Sequence, residues 1–223
     1  MIPQPPASPL QVCRECGGGA PVDAHFCPQC TKILSLGRHG DYFTFMGLPR
    51  KLNLDADEIE RRLRSLSRQF HPDYFYNATP AERRASLERS SYLNDAYRTL
   101  KQPIGRVEYL LQLEGLGART PQEASRQVPP ALLEEVFALN EELDEIRSLR
   151  TGGAPAAGLR ARLERARQPI EAKRVEHEAQ LQELAARWDA GGGQDALKAL
   201  RDQFLERNYI HNLLEGIERE SNA

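Results

Sequence analysis

All four cysteines of the 223-residue chain lie before residue 31, as Cys13-x-x-Cys16 and Cys27-x-x-Cys30 with ten residues between the pairs. Each hook sets two thiolates on one side of a tight turn, and two hooks together supply the four soft ligands of a tetrahedral Zn2+ site. Gly17, Gly18 and Gly19 follow the first hook and leave the backbone free to wrap a metal. A disulfide framework would scatter its cysteines, and a reducing compartment disfavours disulfides. A redox dithiol needs a strand-to-helix context that these flanks lack, and four thiolates on one ion leave no open catalytic position. The expectation is a small zinc-ribbon-like knuckle holding structural Zn2+ through Cys13, Cys16, Cys27 and Cys30. Iron and a thiol oxidoreductase are the alternatives. His25, between the hooks, is a bystander on this reading because four cysteines already close the shell.

Behind the knuckle no β-alternation of useful length occurs, and an all-α body is expected. Four segments follow from composition: 1–36, rich in Cys, Gly and Pro; 37–115, helical with sharp breaks; a linker at 116–128, "PQEASRQV" within it; and 129–223, helices interrupted by "TGGAPAAG" and "GGG". The glycine breaks favour a C-terminal antiparallel three-helix bundle over a long coiled coil. Pro169 should kink the middle helix or start a new one.

In the second segment Ile59, Leu63, Leu66 and Phe70 form one apolar stripe at helical spacing, with Asp55 and Glu58 as a capped start. Arg61, Arg64 and Arg68 fall on the opposite side with Arg62 beside them, which makes that face cationic. Pro72 stops the helix by removing a backbone donor and restricting His71. Thr79-Pro80-Ala81-Glu82 then opens a second helix with an N-cap, a first-turn proline and a capping-box glutamate. The product is a helical hairpin whose connecting loop begins His71-Pro72-Asp73. That trio lacks a nearby nucleophile or further metal ligands, so general acid–base chemistry and metal binding are poor readings of it. A basic face running into a proline-fixed loop suits a docking surface.

In "PALLEEVFALNEELDEIRSLR" the core stripe is Leu132, Val136, Leu139, Leu143 and Ile146, while Leu133, Phe137 and Glu141 lie on a neighbouring strip. Large apolar residues off the core stripe want a partner, either another helix of the bundle or another protein. His177 falls on the apolar side of the next helix as a core-edge histidine.

"FHPDYF" between an arginine-bearing helix and "SSYLNDAYRTLKQP" resembles the J domain, the module that binds DnaK-type chaperone ATPases and stimulates their hydrolysis of ATP. "DYFTFMGLP", "YLNDAYRTLKQPIGRVEYLLQLEG" and "EELDEI" together are similar to the HscB family, the J-type co-chaperones of iron–sulfur cluster assembly, over residues 41–220. The tetracysteine knuckle with its "FCPQC" resembles the animal mitochondrial form. By this resemblance His71, Pro72 and Asp73 stimulate an HscA/DnaK-type chaperone ATPase, and Arg61, Arg62, Arg64 and Arg68 face an acidic patch on it. The strip Leu133, Phe137 and Glu141, with Tyr209 of the last helix, receives an IscU-type scaffold. The chain departs from the family at Tyr74, where a lysine is common, and at Glu134 and Ala138. A generic J protein whose knuckle recruits unfolded clients or RNA is the rival reading. The resemblance implies an adaptor, not an enzyme.

Thirty basic against 32 acidic residues, a formal charge of −2, give no whole-chain basic field for nucleic acid or an anionic membrane. No run of about 18 apolar residues exists to span a bilayer, and the opening "MIPQPPASPLQV" lacks a signal-peptide pattern. A bacterial cytoplasmic protein is expected; the mitochondrial matrix would require a transit peptide already removed. Oligomeric state is left open.

Overall fold

The structure is a computed structural model and describes residues 10–37, 40–117 and 130–222. Its elements in chain order are β1 (Leu10–Val12), β2 (Gly19–Pro21), α1 (Tyr42–Met46), α2 (Ala56–Phe70), a 3-10 turn (Pro72–Phe75), α3 (Pro80–Lys101), α4 (Pro103–Leu113), α5 (Pro130–Thr151), α6 (Ala156–Asp189) and α7 (Gly193–Ser221). The expected all-α body behind a small knuckle is what forms. The chain divides into two compact units, Met1–Arg106 and Val107–Ala223. The expected linker, 116–128, falls almost wholly outside the described residues.

In the first unit β1 and β2 pair antiparallel, Gln11 opposite Ala20, and carry the first cysteine hook between them. The Asp41 carboxylate accepts from the Thr44 amide to start α1, and Gly47 stops it at φ 64°, a left-handed backbone that suits glycine. Asp55 caps α2 by accepting from the Asp57 amide. Glu58, the other residue of the expected capped start, behaves differently. Glu58 turns along the helix to Arg61 and Arg62, because residues three and four apart on a helix are neighbours. Ile59, Leu66 and Phe70 of the expected stripe are buried and Leu63 is half-buried; Phe43, Met46, Leu93 and Leu100 of the same unit are buried too. Burying each such side chain fully contributes about 1.5–3 kcal/mol. The Thr79/Glu82 capping box of α3 forms reciprocally, with the Glu82 amide donating to Thr79 Oγ1 at 3.3 Å and the Thr79 amide donating to Glu82 Oε2 at 3.0 Å. Arg106 at the start of α4 is buried, donating to the carbonyls of Leu52 and Leu100.

In the second unit α5, α6 and α7 form a three-helix bundle. Leu139, Leu143 and Ile146 of α5 pack with Leu159 and Leu163 of α6 and Ile217 of α7. Leu132 and Val136 are buried as well, so the whole expected core stripe of α5 faces inward. Ion pairs lie across the seams: Arg162 of α6 to Glu142 and Glu145 of α5, and Arg147 and Arg150 of α5 to Glu220 of α7. Gly191 and Gly193 adopt φ of 93° and 60°, which allows the reversal from α6 to α7. Pro169 does not start a new helix: α6 runs unbroken from Ala156 to Asp189. The proline is exposed there, where the carbonyl it leaves without a donor can be hydrated.

Candidate docking surfaces and metal centre

The turn after α2 is built by proline and held by its neighbours. His71 takes φ −57°, ψ 126°, the extended geometry that a following proline imposes, and its Nδ1 accepts from the Asp73 amide at 3.3 Å to cap the 3-10 turn. The Asp73 carboxylate lies 3.4 Å from the same nitrogen. With α2 stopped, the Phe70 carbonyl lacks a helical donor, and Ser86 and Ser90 of α3 supply one each, at 2.6 and 3.0 Å. The Asp73 side chain is 85% exposed and that of His71 50%. Tyr74 and Tyr76 also stand out from the surface, and Pro72, Asp73, Tyr76, Arg83 and Leu87 line a shallow open groove. This pair is presented outward rather than enclosed around a reacting atom, an arrangement suited to docking.

The cationic face of α2 is weaker than four arginines suggest. Arg61 pairs with Glu58 at 2.8 Å and with Asp55 at 3.4 Å, and Arg62 pairs with Glu58 at 2.8 Å. Among the described residues Arg64 and Arg68 have no ion pair; Arg68 Nε donates to the Arg64 carbonyl. Free positive charge is therefore concentrated at Arg64 and Arg68, the end of the helix nearer the turn.

The four thiols converge. All four Sγ atoms lie within 4.8 Å of one another, and the Cys13–Cys30 and Cys16–Cys27 separations are both 3.7 Å. A tetrahedron of sulfurs about 2.3 Å from a central ion has edges of about 3.8 Å. A disulfide would need about 2.05 Å. The residues thus fit a four-thiolate metal ion. The two hooks have the same backbone plan: the Cys13 and Cys27 amides donate to the carbonyls of Gly18 and Lys32, and the Gly17 and Thr31 amides donate back to the carbonyls of Cys13 and Cys27. Both hooks end in the left-handed region, Gly17 at φ 72° and Thr31 at φ 59°. The Cys30 amide, aimed at Cys27 Sγ, leads the Gln29 amide in lowering that thiol to about 7 against the effect of burial.

On α5, Leu133 and Phe137 are 39% and 66% exposed, and Glu141 is exposed with them at a spacing of four. Phe137 and Glu141 thus stand mainly in solvent, while Leu133 is partly covered. Tyr209 stands on α7, half-buried next to the buried Ile210. His177 sits at the core edge as expected, its Nδ1 2.7 Å from Gln203 Oε1 and its Nε2 3.4 Å from Glu206.

Three residues that join the knuckle to the hairpin escaped the sequence reading. Arg89 of α3 is 2% exposed. Its guanidinium donates to the carbonyls of Leu34, Ala24 and Ser35, at 2.9, 3.3 and 3.3 Å, and to His25 Nδ1 at 2.8 Å. It also lies over the rings of Phe45 and Phe70. Burial lowers Arg89 to about 10, which leaves it charged at pH 7. Burial and then the Arg89 charge lower His25 to about 4, so its ring is neutral and accepts that bond. His25 is therefore neither a metal ligand nor a bystander. The third residue, Lys32, pairs with the buried Glu82 at 3.0 Å. A signal was present for Arg89: it falls on the stripe of Ala85, Leu93, Ala96 and Leu100, where a cation must find partners.

No protein-family model matches the chain. Among solved structures it is similar to the human co-chaperone protein HscB, at a TM-score of 0.69 and 27% identity over 94% of this chain and 98% of the human one. The chaperone HscB from Vibrio cholerae matches at a TM-score of 0.62 and 31% identity, over 82% of this chain and 98% of that one. The Jac1 co-chaperone from Saccharomyces cerevisiae, at 20% identity and a TM-score of 0.52, shares the fold. Hairpin, exposed His-Pro-Asp turn and three-helix bundle together define a J-domain co-chaperone. At 31% identity over nearly the whole Vibrio protein, the chain belongs to the HscB family.

Proposed function

We propose that this protein is the co-chaperone of an iron–sulfur cluster assembly system, with its activity expressed in a partner's active site. The J domain, residues 37–115, docks a DnaK- or HscA-type ATPase through His71, Pro72 and Asp73, steered by Arg64 and Arg68 and to a lesser degree by the paired Arg61 and Arg62. The C-terminal domain, 129–223, holds an IscU-type scaffold on Leu133, Phe137, Glu141 and Tyr209, and the segment 116–128 links the two. The knuckle, 1–36, carries Zn2+ on Cys13, Cys16, Cys27 and Cys30, a set of four thiolates that suits a closed structural zinc site. The system works in the cytoplasm.

The observation that carries this reading is the outward presentation of His71 and Asp73 on a turn anchored from behind through the Phe70 carbonyl. A second support is the exposure of Phe137, a large apolar side chain left without cover by its own bundle. No helix among the described residues is long and apolar enough to cross a membrane. The test is steady-state ATP hydrolysis by the chaperone encoded by the same organism, titrated with this protein with and without the scaffold. The rate should rise with either addition and by more than the sum of the two when both are present. A rate unchanged by this protein would refute the proposal.

A further inference from the structure

The His71-Pro72-Asp73 turn has two ends, and the knuckle touches both. At the entry, Phe70 is fully buried and its ring meets His25 edge-on at 4.9 Å and Phe26 at 6.2 Å, both from the stretch leading into the second cysteine hook. At the exit, the capping box that restarts the helix depends on Glu82, whose Oε2 serves Thr79 while its Oε1 takes Lys32 from the far side of the same hook. Arg89 closes the frame between them, bonded to three knuckle carbonyls and lying 5.7 Å above the Phe70 ring. The groups that reach the residues flanking the turn, Phe70 before it and Glu82 after it, are thus His25 and Lys32, each two residues from a clustered thiol, and their positions follow from how Cys27 and Cys30 are held.

We propose that the tetracysteine knuckle is a clamp on the chaperone-docking turn, with His25, Lys32 and Arg89 as positioning residues that hold His71 and Asp73 in docking geometry. The inference rests on the docking role assigned above. It gives the knuckle a place in the co-chaperone's action: an intact four-thiolate centre keeps both ends of the turn fixed, and its loss loosens them together. The loosened turn still carries His71, Pro72 and Asp73, so the maximal rate of the stimulated chaperone persists and the concentration needed to reach it rises. A segment that must be ordered on binding binds less tightly by the cost of ordering it.

The clamp is tested on the full-length protein with Lys32→Ala, Lys32→Arg and Cys16→Ser. Lys32 is half-exposed, so its replacement leaves the fold in place. Hydrogen exchange is read at the amides of Tyr74 and Ala78, which bond to the carbonyls of His71 and Phe75. Loss of one ion pair with a buried partner should speed exchange about three- to fivefold in Lys32→Ala, and raise the half-saturating concentration for chaperone stimulation by a similar factor with the maximal rate unchanged. Lys32→Arg should restore both values, and Cys16→Ser should exceed Lys32→Ala in both. Exchange within about 1.5-fold of wild type in both Lys32→Ala and Cys16→Ser would overturn the clamp, as would faster exchange with unaltered half-saturation. A wild-type protein that fails to stimulate would instead overturn the docking role, and exchange at the turn would still decide whether the knuckle holds it.

Discussion

Replacing Arg89 by lysine keeps a positive charge at the seam of knuckle and hairpin but replaces a planar fork of donors with a single ammonium. The guanidinium serves the carbonyls of Leu34, Ala24 and Ser35 and the His25 ring at once. A lysine ammonium at the end of a shorter reach serves one or two of them. Each carbonyl deserted in a buried setting costs about 1–3 kcal/mol. The Leu34 bond is fully buried and the others partly so, which puts the expected loss at about 2–3 kcal/mol in the free energy of opening the knuckle. Hydrogen exchange at the Cys13, Cys27 and Leu34 amides, each bonded within the knuckle, reads that opening directly. At 1.4 kcal/mol per factor of ten, exchange should quicken about 30- to 150-fold. Acceleration of less than about threefold would mean that the buried fork does not hold the knuckle, and the account of the seam would fail.

Metal analysis of the purified protein should find one zinc per chain, and Cys27→Ser should lose it; two titratable thiols with no metal would contradict the centre. Thr31→Gly should stabilise the second hook by about 1 kcal/mol, because Thr31 holds a left-handed backbone that glycine adopts without penalty, and zinc retention against a chelator measures it. Phe137→Ala should weaken scaffold binding at least tenfold in a calorimetric titration while leaving the thermal midpoint within about 2 °C, since that side chain is mostly in solvent. The bonds that Arg147 and then Arg150 donate to Glu220 hold its carboxyl below the usual carboxylate range. A depressed folded value means that the stabilisation is present above the unfolded value and lost as pH falls through the folded one. The bundle, followed by Trp188 fluorescence, should therefore weaken below about pH 4.5 by about 1 kcal/mol more in wild type than in Glu220→Gln.

Much of this molecule could be read from its residues because the decisive signals were local. Two cysteine hooks imply one tetrahedral site, and stripes such as Ile59–Leu66–Phe70 and Leu132–Ile146 imply helices with one buried face. What escaped was long-range. Nothing near residue 89 announces that its carbonyl partners are more than 50 residues away, and Glu82, recognised as a capping residue, gave no sign that it also takes Lys32. The neutralisation of Arg61 and Arg62 was a local signal passed over, since Glu58 stands three and four residues before them on the same helix. Of the two outcomes expected at Pro169, a new helix does not occur, because an exposed position lets solvent satisfy the orphaned carbonyl, and sequence does not report that exposure.

On the function proposed above, His71 acts on another protein's ATPase from an exposed turn. Stimulation of the chaperone by wild type and by His71→Gln, compared at equal scaffold occupancy, tests it most directly. The variant should fold, bind scaffold as tightly as wild type and lose nearly all stimulation; stimulation by His71→Gln equal to wild type would refute the docking role of the turn.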